Sequence, residues 1–228
     1  IIEVVRCFEN SNIIHVDGVI NPTNDIEIIE LELIYADLET VSKRRERLKK
    51  QLKADKSLIK EDLVLEKIEK ALNEGKSARS VELAEEEKDI IKSLSLLTLK
   101  PLMYVANVDE ETIQDVEKNE NFKKVKQYAE SQNAKVIPIC VKLEEEISSI
   151  ESEDERKEFL EMMGLDKSGL DKLIIASYDI LGLMSYLTVR RNRSKSMDYK
   201  KRDKSTKSGI KDTFRYRKRV YKSRNRII

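Results

Sequence analysis

Several features that would place this chain quickly in a class are scarce or missing. It holds two cysteines, Cys7 and Cys140, too few for a disulfide framework, which points to a reducing, cytoplasmic setting. Its one histidine, His15, sits between Ile14 and Val16 with no second metal-type residue at useful spacing, and so reads as a structural or surface side chain. Aromatic residues make up 5% of the chain against 38% charged, a balance that calls for much solvated helix. No apolar run approaches the roughly 18 residues of a membrane span, so no membrane partner is expected. The opening Ile1-Ile2-Glu3-Val4-Val5 has neither a start Met nor a basic leader region, which excludes a signal peptide and reads as a chain cut at the start of a strand. The phosphate-cradling pattern Gly-x-x-x-x-Gly-Lys-Ser/Thr occurs nowhere, so hydrolysis of a nucleoside triphosphate is not expected from these residues alone.

What is present is charge, and it is unevenly placed. A formal charge of +1 conceals 17 Lys/Arg against 3 Asp in residues 190–228, while residues 1–189 carry 27 basic and 40 acidic side chains. A length of 228 residues suffices for a real core in one or two domains.

The stretch that organises the rest is Pro101-Leu102-Met103-Tyr104-Val105-Ala106, followed by Asn107-Val108-Asp109-Glu110. An apolar run with β-branched and aromatic members and Pro in first place predicts a strand buried on both faces of a parallel sheet. Ligands bind beyond the carboxyl ends of such strands, where Asn107 stands. Its amide can donate to and accept from a purine edge at once, or it can cap a helix over Glu111-Thr112-Ile113. Ile1 to Phe8 predicts a second buried strand, and Ala134 to Cys140 a third. Between the second and third strands in the chain, Asp109–Lys118 and Phe122–Ser131 have helical patterns. Strand, helices and strand then spell a right-handed crossover that brings the loop after Cys140 beside Asn107. Glu144–Met162 reads as an acidic helix, and Leu170–Leu181 as an apolar-faced one. Residues 10–24 read as a loop.

From Leu31 the spacing becomes a heptad: Leu31, Ile34, Leu38, Val41, Arg45, Leu48 and Leu52. After a break at Lys53–Ser57, Leu58, Leu65, Ile68 and Leu72 form a second seam ending near Gly75, and Glu85–Leu97 a further helix. Two amphipathic helices joined by a short polar link fold back on one another as an antiparallel hairpin. Its charged outer faces are either simply solvated or a docking surface.

The order of these pieces, with VVRCFEN, IIHVDG, DIEIIELELIYADLETV, YVANVDE, VIPIC and ILGLMSYLTV, resembles the YchF-type Obg-like ATPases over Ile1 to Val189. The resemblance implies an α/β fold, a partial parallel-sheet P-loop NTPase domain with an antiparallel helical coiled-coil insertion. Residues 1–30 and 98–182 would be the nucleotide-binding domain, residues 31–97 the insertion, and residues 183–189 the start of a truncated TGS domain. The family's base-reading Asn-x-x-Glu falls on Asn107-Val108-Asp109-Glu110, and Phe8 matches a family position near the nucleotide. The implied cofactor is ATP or GTP with Mg²⁺. The implied partner is the ribosome, as 50S subunit or 70S particle, with RNA contact through the helical hairpin.

Two departures accompany the match. The phosphate loop is absent, so the chain reads as a fragment starting downstream of it and inactive alone. After Val189 the chain turns basic where the family continues into its TGS domain. A codon choice exists for Arg190 to Ile227 that, read one base out of register, spells a stretch resembling the family's TGS sequence. The tail is therefore expected to be out of frame and disordered, with residues 183–189 an orphan strand. The competing assignment is a non-enzymatic coiled-coil adaptor with a basic RNA-binding tail, since phosphate binding is driven by counterion release. A phosphate loop upstream of Ile1 in the gene discriminates between the two.

Overall fold

The structure, a computed structural model, describes residues 1–9, 20–52, 55–190 and 193–200. His15 lies outside the described residues, as does the part of the tail beyond residue 200. The chain divides into two compact units, Ile1–Leu170 and a second beginning at Asp171.

The first unit is built on three parallel strands in the order β1-β2-β3: β1 Ile2–Arg6, β2 Met103–Asn107 and β3 Lys135–Ile139. Arg6 pairs with Asn107, and Asn107 with Ile139, so all three strands end level. β2, in the middle, is buried throughout Met103–Ala106, as its unbroken apolar run requires. β1 corrects the expectation of a second strand buried on both faces. Glu3 and Val5 point inward, but Ile2 is 46% and Val4 63% exposed, because alternate side chains leave opposite faces of a strand and only one face of β1 is covered. β3 takes the other edge of the described sheet, where Pro138, which cannot donate to a ladder, is tolerated.

α1, Pro22–Gln51, starts earlier than the expected Leu31, with Pro at the first helical position, where its missing N–H costs nothing. Residues 22–24, expected as loop, are therefore helix. The early turns of α1 belong to the sheet. Ile26 lies in one core with Val5, Leu102, Tyr104, Val125 and Ala129, and the Glu30 carboxylate accepts from the hydroxyls of Tyr104 (2.8 Å) and Tyr128 (2.9 Å). From Ile34 onward the same helix serves a second core, in which Ile34, Val41 and Leu48 pack with Val64, Leu65, Ile68 and Leu72 of α2, Ile59–Asn73. Leu31, expected as the first seam position, is 43% exposed because it falls at the changeover between the two cores.

Arg45, the cation folded into the seam, binds Asp62 (3.1 Å), Glu66 (3.3 Å) and Glu69 (2.5 Å) across the hairpin. Arg44 grips Glu61 with two nitrogens (2.7 and 2.9 Å), and the Ser42 hydroxyl donates to Glu69 (2.8 Å). Numbers that rise on α1 as they fall on α2 make the pair antiparallel. The helix expected over Glu85–Leu97 is shorter: α3, Glu85–Ile91, ends in a single tight turn, Lys92–Leu94, and then in Ser95 with left-handed φ 51°.

The return to β2 is held by one carboxylate. Asp37 of α1, 2% exposed, accepts from the backbone N–H groups of Leu97 (2.8 Å) and Thr98 (2.7 Å) and from the Thr98 hydroxyl (2.6 Å). That hydroxyl in turn accepts from the N–H of Ala78 (3.0 Å), just past α2.

Beyond β2, Asp109–Lys118 is not a helix. Asp109 accepts from the N–H (2.8 Å) and hydroxyl (2.6 Å) of Thr112, the competing local bonds that take Asp and Thr out of helices, so that residues 110–114 form turns and Val116–Lys118 a single 3₁₀ turn. α4, Glu120–Ser131, is capped by Asn119, whose side chain accepts from Phe122 N–H (2.9 Å). The expected acidic helix is two, α5 Val141–Ser149 and α6 Glu153–Met162, separated where Ser152 caps the second. Glu144 of α5 accepts from the N–H groups of Gly169 (2.6 Å) and Leu170 (3.1 Å) at the start of α7, Gly169–Ile180. A Cβ at Gly169 would stand 3.0 Å from that carboxylate and from Ile139, so any larger residue there would make both side chains give by a few tenths of an ångström.

In the second unit β4, Leu183–Arg190, pairs antiparallel with β5, Arg193–Lys200. This overturns the expectation of an orphan strand and of structure ending near Val189. Backbone donors and acceptors of a strand accept any extended neighbour. In the sequence Arg193, Lys195, Met197 and Tyr199 alternate with Ser194, Ser196 and Asp198, a period of two that the charge count hides.

Beneath the sheet, Glu3 faces Glu30, with Tyr104, Tyr128 and Arg79 around the pair, and Glu3 Oε2 has no hydrogen-bond partner. Burial, and then the negative charge of Glu30, push the Glu3 carboxyl up to about 7, with Arg79 opposing. A carboxyl raised above its unfolded value of 4.5 stabilises the fold fully below that pH, and the contribution is lost as pH rises through about 7. Glu3→Gln is thus expected to be more stable than the parent by about 1–2 kcal/mol at pH 8 and to lose that advantage toward pH 4.5, read from urea unfolding across pH. Asp37→Ala strands two buried donors and a part-buried one and is expected to cost about 3–5 kcal/mol in the same assay, whereas the exposed Glu39→Ala is expected to leave the unfolding midpoint unchanged.

Candidate functional site

The three strand ends meet the N-terminus of α5 at one edge of the sheet. The Asn107 backbone carbonyl accepts from Cys7 N–H (2.8 Å), which draws the exit of β1 alongside. The Asn107 side-chain carbonyl accepts from the N–H of Val141 (3.1 Å), the first residue of α5. This side chain is a helix cap, but for α5 across the sheet rather than for residues 111–113. Its Nδ2 bonds no other described residue, so a donor remains at the edge.

Glu110 is joined to the same helix. Lys142 Nζ lies 2.8 Å from Glu110 Oε1, with the Lys142 side chain 70% and the Glu110 side chain 37% exposed. The carboxylate raises the pKa of the Lys142 ammonium, with Glu146 one turn further along α5 adding to the effect, and so keeps it charged. The sequence placed the loop after Cys140 here but did not single out Lys142. Its signal would have been the pairing of an acid in one strand-end loop with a base in the next.

Val108 takes the opposite course. Its side chain is 1% exposed in the core with Phe122 and Val125, and its N–H donates to Ile139 (2.9 Å), so it has no side-chain atom to offer a ligand. Phe8 lies just past β1, half-buried, with the Arg6 guanidinium 4.8 Å over its ring and Arg6 Nε donating to its carbonyl (3.2 Å). Asn119 Nδ2 donates to Cys7 carbonyl (2.9 Å), a support for this exit that the sequence did not flag. The two cysteines flank Asn107 at the ends of β1 and β3. Burial pushes the Cys7 thiol up to about 12 and raises Cys140 as well, so both stay protonated and neither is a nucleophile.

No protein-family model matches the chain. It is 47% identical over 202 residues to the ribosome-binding ATPase YchF of Bacillus subtilis, covering 88% of this chain and 55% of that protein. It is 43% identical over 186 residues to the protein of that name from Escherichia coli O157:H7, covering 81% and 50%. Among solved structures it is similar to the YchF GTPase of Schizosaccharomyces pombe, with a TM-score of 0.78 and 32% identity, covering 92% of this chain and 58% of that one. Parallel strands that end level at Asn107, and a helical hairpin inserted between β1 and β2, define a partial P-loop NTPase domain. The chain belongs to the YchF family. It spans about half the length of the curated relatives it matches.

Asn107→Ala removes the bond to Val141 and with it the tie between β2 and α5. A loss of about 1 kcal/mol is expected in urea unfolding, with hydrogen exchange rising first at the start of α5.

Proposed function

We propose that this chain is the base-reading and hairpin part of a ribosome-associated protein that hydrolyses ATP or GTP with Mg²⁺ in the cytoplasm. What supports this is the convergence of Asn107 and Glu110 on one helix end: Asn107 bonds Val141 N–H at 3.1 Å, and Glu110 meets Lys142 at 2.8 Å. Two base-contacting groups that project from different turns of one loop need such a common support if a flat purine edge is to meet both. The Asn107 amide offers a donor and a second acceptor lone pair to that edge, and Glu110 offers a carboxylate oxygen to an exocyclic amine. Phe8 flanks the nucleotide, and Val108 acts through its backbone.

The relatives named above are called ribosome-binding, and the ribosome, with RNA contact along the charged outer faces of the hairpin, is the partner proposed here. Residues 183–189 are proposed as the opening of a TGS domain. Mg²⁺ would supply charge neutralisation on the phosphates. No group of three or more His, Cys, Asp or Glu suited to a metal occurs among the described residues, so these residues provide no cage for the ion. No helix among them is long and apolar enough to cross a membrane.

Without the phosphate cradle, which carries most of the electrostatics, base contacts alone bind weakly. The 228-residue chain is expected to show no micromolar ATP binding by calorimetry, yet millimolar ATP should shift the Asn107 side-chain amide signals in ¹H–¹⁵N spectra. Micromolar binding, or signals that ignore ATP altogether, would refute this assignment.

A further inference from the structure

Where α1 leaves the sheet, a buried polar cluster is one hydrogen bond short. Glu3 of β1 is 9% exposed and stands beside Tyr104 in the strand register, yet its Oε2 has no hydrogen-bond partner. Glu30 of α1, whose charge acts on Glu3, takes the Tyr104 hydroxyl (2.8 Å) on one oxygen and the Tyr128 hydroxyl (2.9 Å) on the other. Burial and these bonds raise both phenols, so neither ionises near neutrality. Glu27, one turn before Glu30, adds negative charge beside Tyr128. Arg79 opposes it. The guanidinium lies 3.8 Å from Glu30 but commits Nη1 to the Lys100 carbonyl (3.0 Å), so it offsets only part of the repulsion. The Ile1 ammonium, on the Pro101 carbonyl (2.6 Å), lies near Arg79 and Lys100.

The donor missing from this cluster is a proton. A carboxylate that accepts two hydroxyls keeps lone pairs for a third donor, and two carboxyl groups sharing a buried site hold one proton between them rather than ionise together. We propose that Glu3 and Glu30 form a proton-operated clasp, in which a proton on the unbonded Glu3 oxygen fastens the first turns of α1 to β1 and its loss tilts α1, with the hairpin, away from the sheet. The clasp is closed below about pH 7, to which burial and Glu30 raise the Glu3 carboxyl, and opens above it. The motion has a pivot, because Asp37, two turns past Glu30, keeps its three bonds to residues 97 and 98. It also has a lever, since α1 runs on to Gln51. The clasp does not depend on the base-reading assignment of Asn107 and Glu110.

The test places spin labels on the 228-residue chain at two exposed positions, Lys50→Cys near the far end of α1 and Lys124→Cys on α4. Cys7 and Cys140 are buried and stay unlabelled. The distance between the labels is expected to change by at least about 2 Å between about pH 5.5 and about pH 8.5, with its midpoint near 7. Glu3→Gln, an uncharged donor at the same place, is expected to hold the low-pH distance throughout. Glu30→Gln removes the like charge and is expected to lower the midpoint. The Ile1 ammonium, lowered from 8.0 chiefly by burial, also titrates below that pH and is untouched in Glu3→Gln, which separates the two groups. A parent distance that ignores pH, a change that persists in Glu3→Gln, or a midpoint unmoved in Glu30→Gln overturns the clasp.

Discussion

Everything beyond the first strand depends on the Asp37 carboxylate. α1 runs 30 residues, about 45 Å, away from the sheet before the chain turns back. The chain must then deliver Met103 opposite Ile2, because a slip of one residue would turn every side chain of β2 to the wrong face. Asp37 sits on the hairpin part of α1, one turn past Ile34, and takes three donors from residues 97 and 98, with Ala78 joined through the Thr98 hydroxyl. The departing helix, the end of α2 and the approach to β2 are thereby tied at one point. A buried carboxylate is tolerable only because its partners are this complete.

Two cores share one helix, and the changeover explains the side chains that break pattern. Ile26 and Glu30 serve the sheet, and Ile34 onward serves the hairpin. Leu31 lies between and is left exposed. Within the hairpin, Arg45 replaces an apolar seam residue. Three acids of α2 pay for its partial burial, and the antiparallel register they impose is more specific than aliphatic packing alone would be. The Glu3–Glu30 contact under the sheet is less complete, with an unbonded carboxylate oxygen and a carboxyl raised to about 7, and it makes this junction responsive to pH near neutrality.

At the carboxyl ends of the strands the same economy of parts recurs. Three strands ending level bring Asn107 between Cys7 and Ile139, and α5 begins there with an uncapped first amide. Asn107 supplies the cap from the neighbouring strand, and Lys142, one residue into the helix, reaches Glu110. Holding the candidate base readers and holding the sheet to α5 are therefore one set of contacts.

The linear sequence by itself determined what depends on local periodicity and on short motifs. The three strands, the hairpin seam of Ile34, Val41, Leu48, Leu65, Ile68 and Leu72, and Asn107 at a strand end were all legible, because apolar spacing reports burial directly. Tertiary structure decided whatever depends on a distant partner. Val4 is exposed despite its apolar surroundings because nothing described covers that face of β1. Residues 110–114 form turns because Asp109 found Thr112. The Val108 side chain lies in the core, and residues 193–200 of the basic stretch pair with β4 where a count of charges predicted disorder. Asp37 and Lys142 were invisible for the same reason. Each takes its meaning from a group far along the chain, Thr98 or Glu110, and no periodicity of a single segment records a pairing across 32 residues or 61.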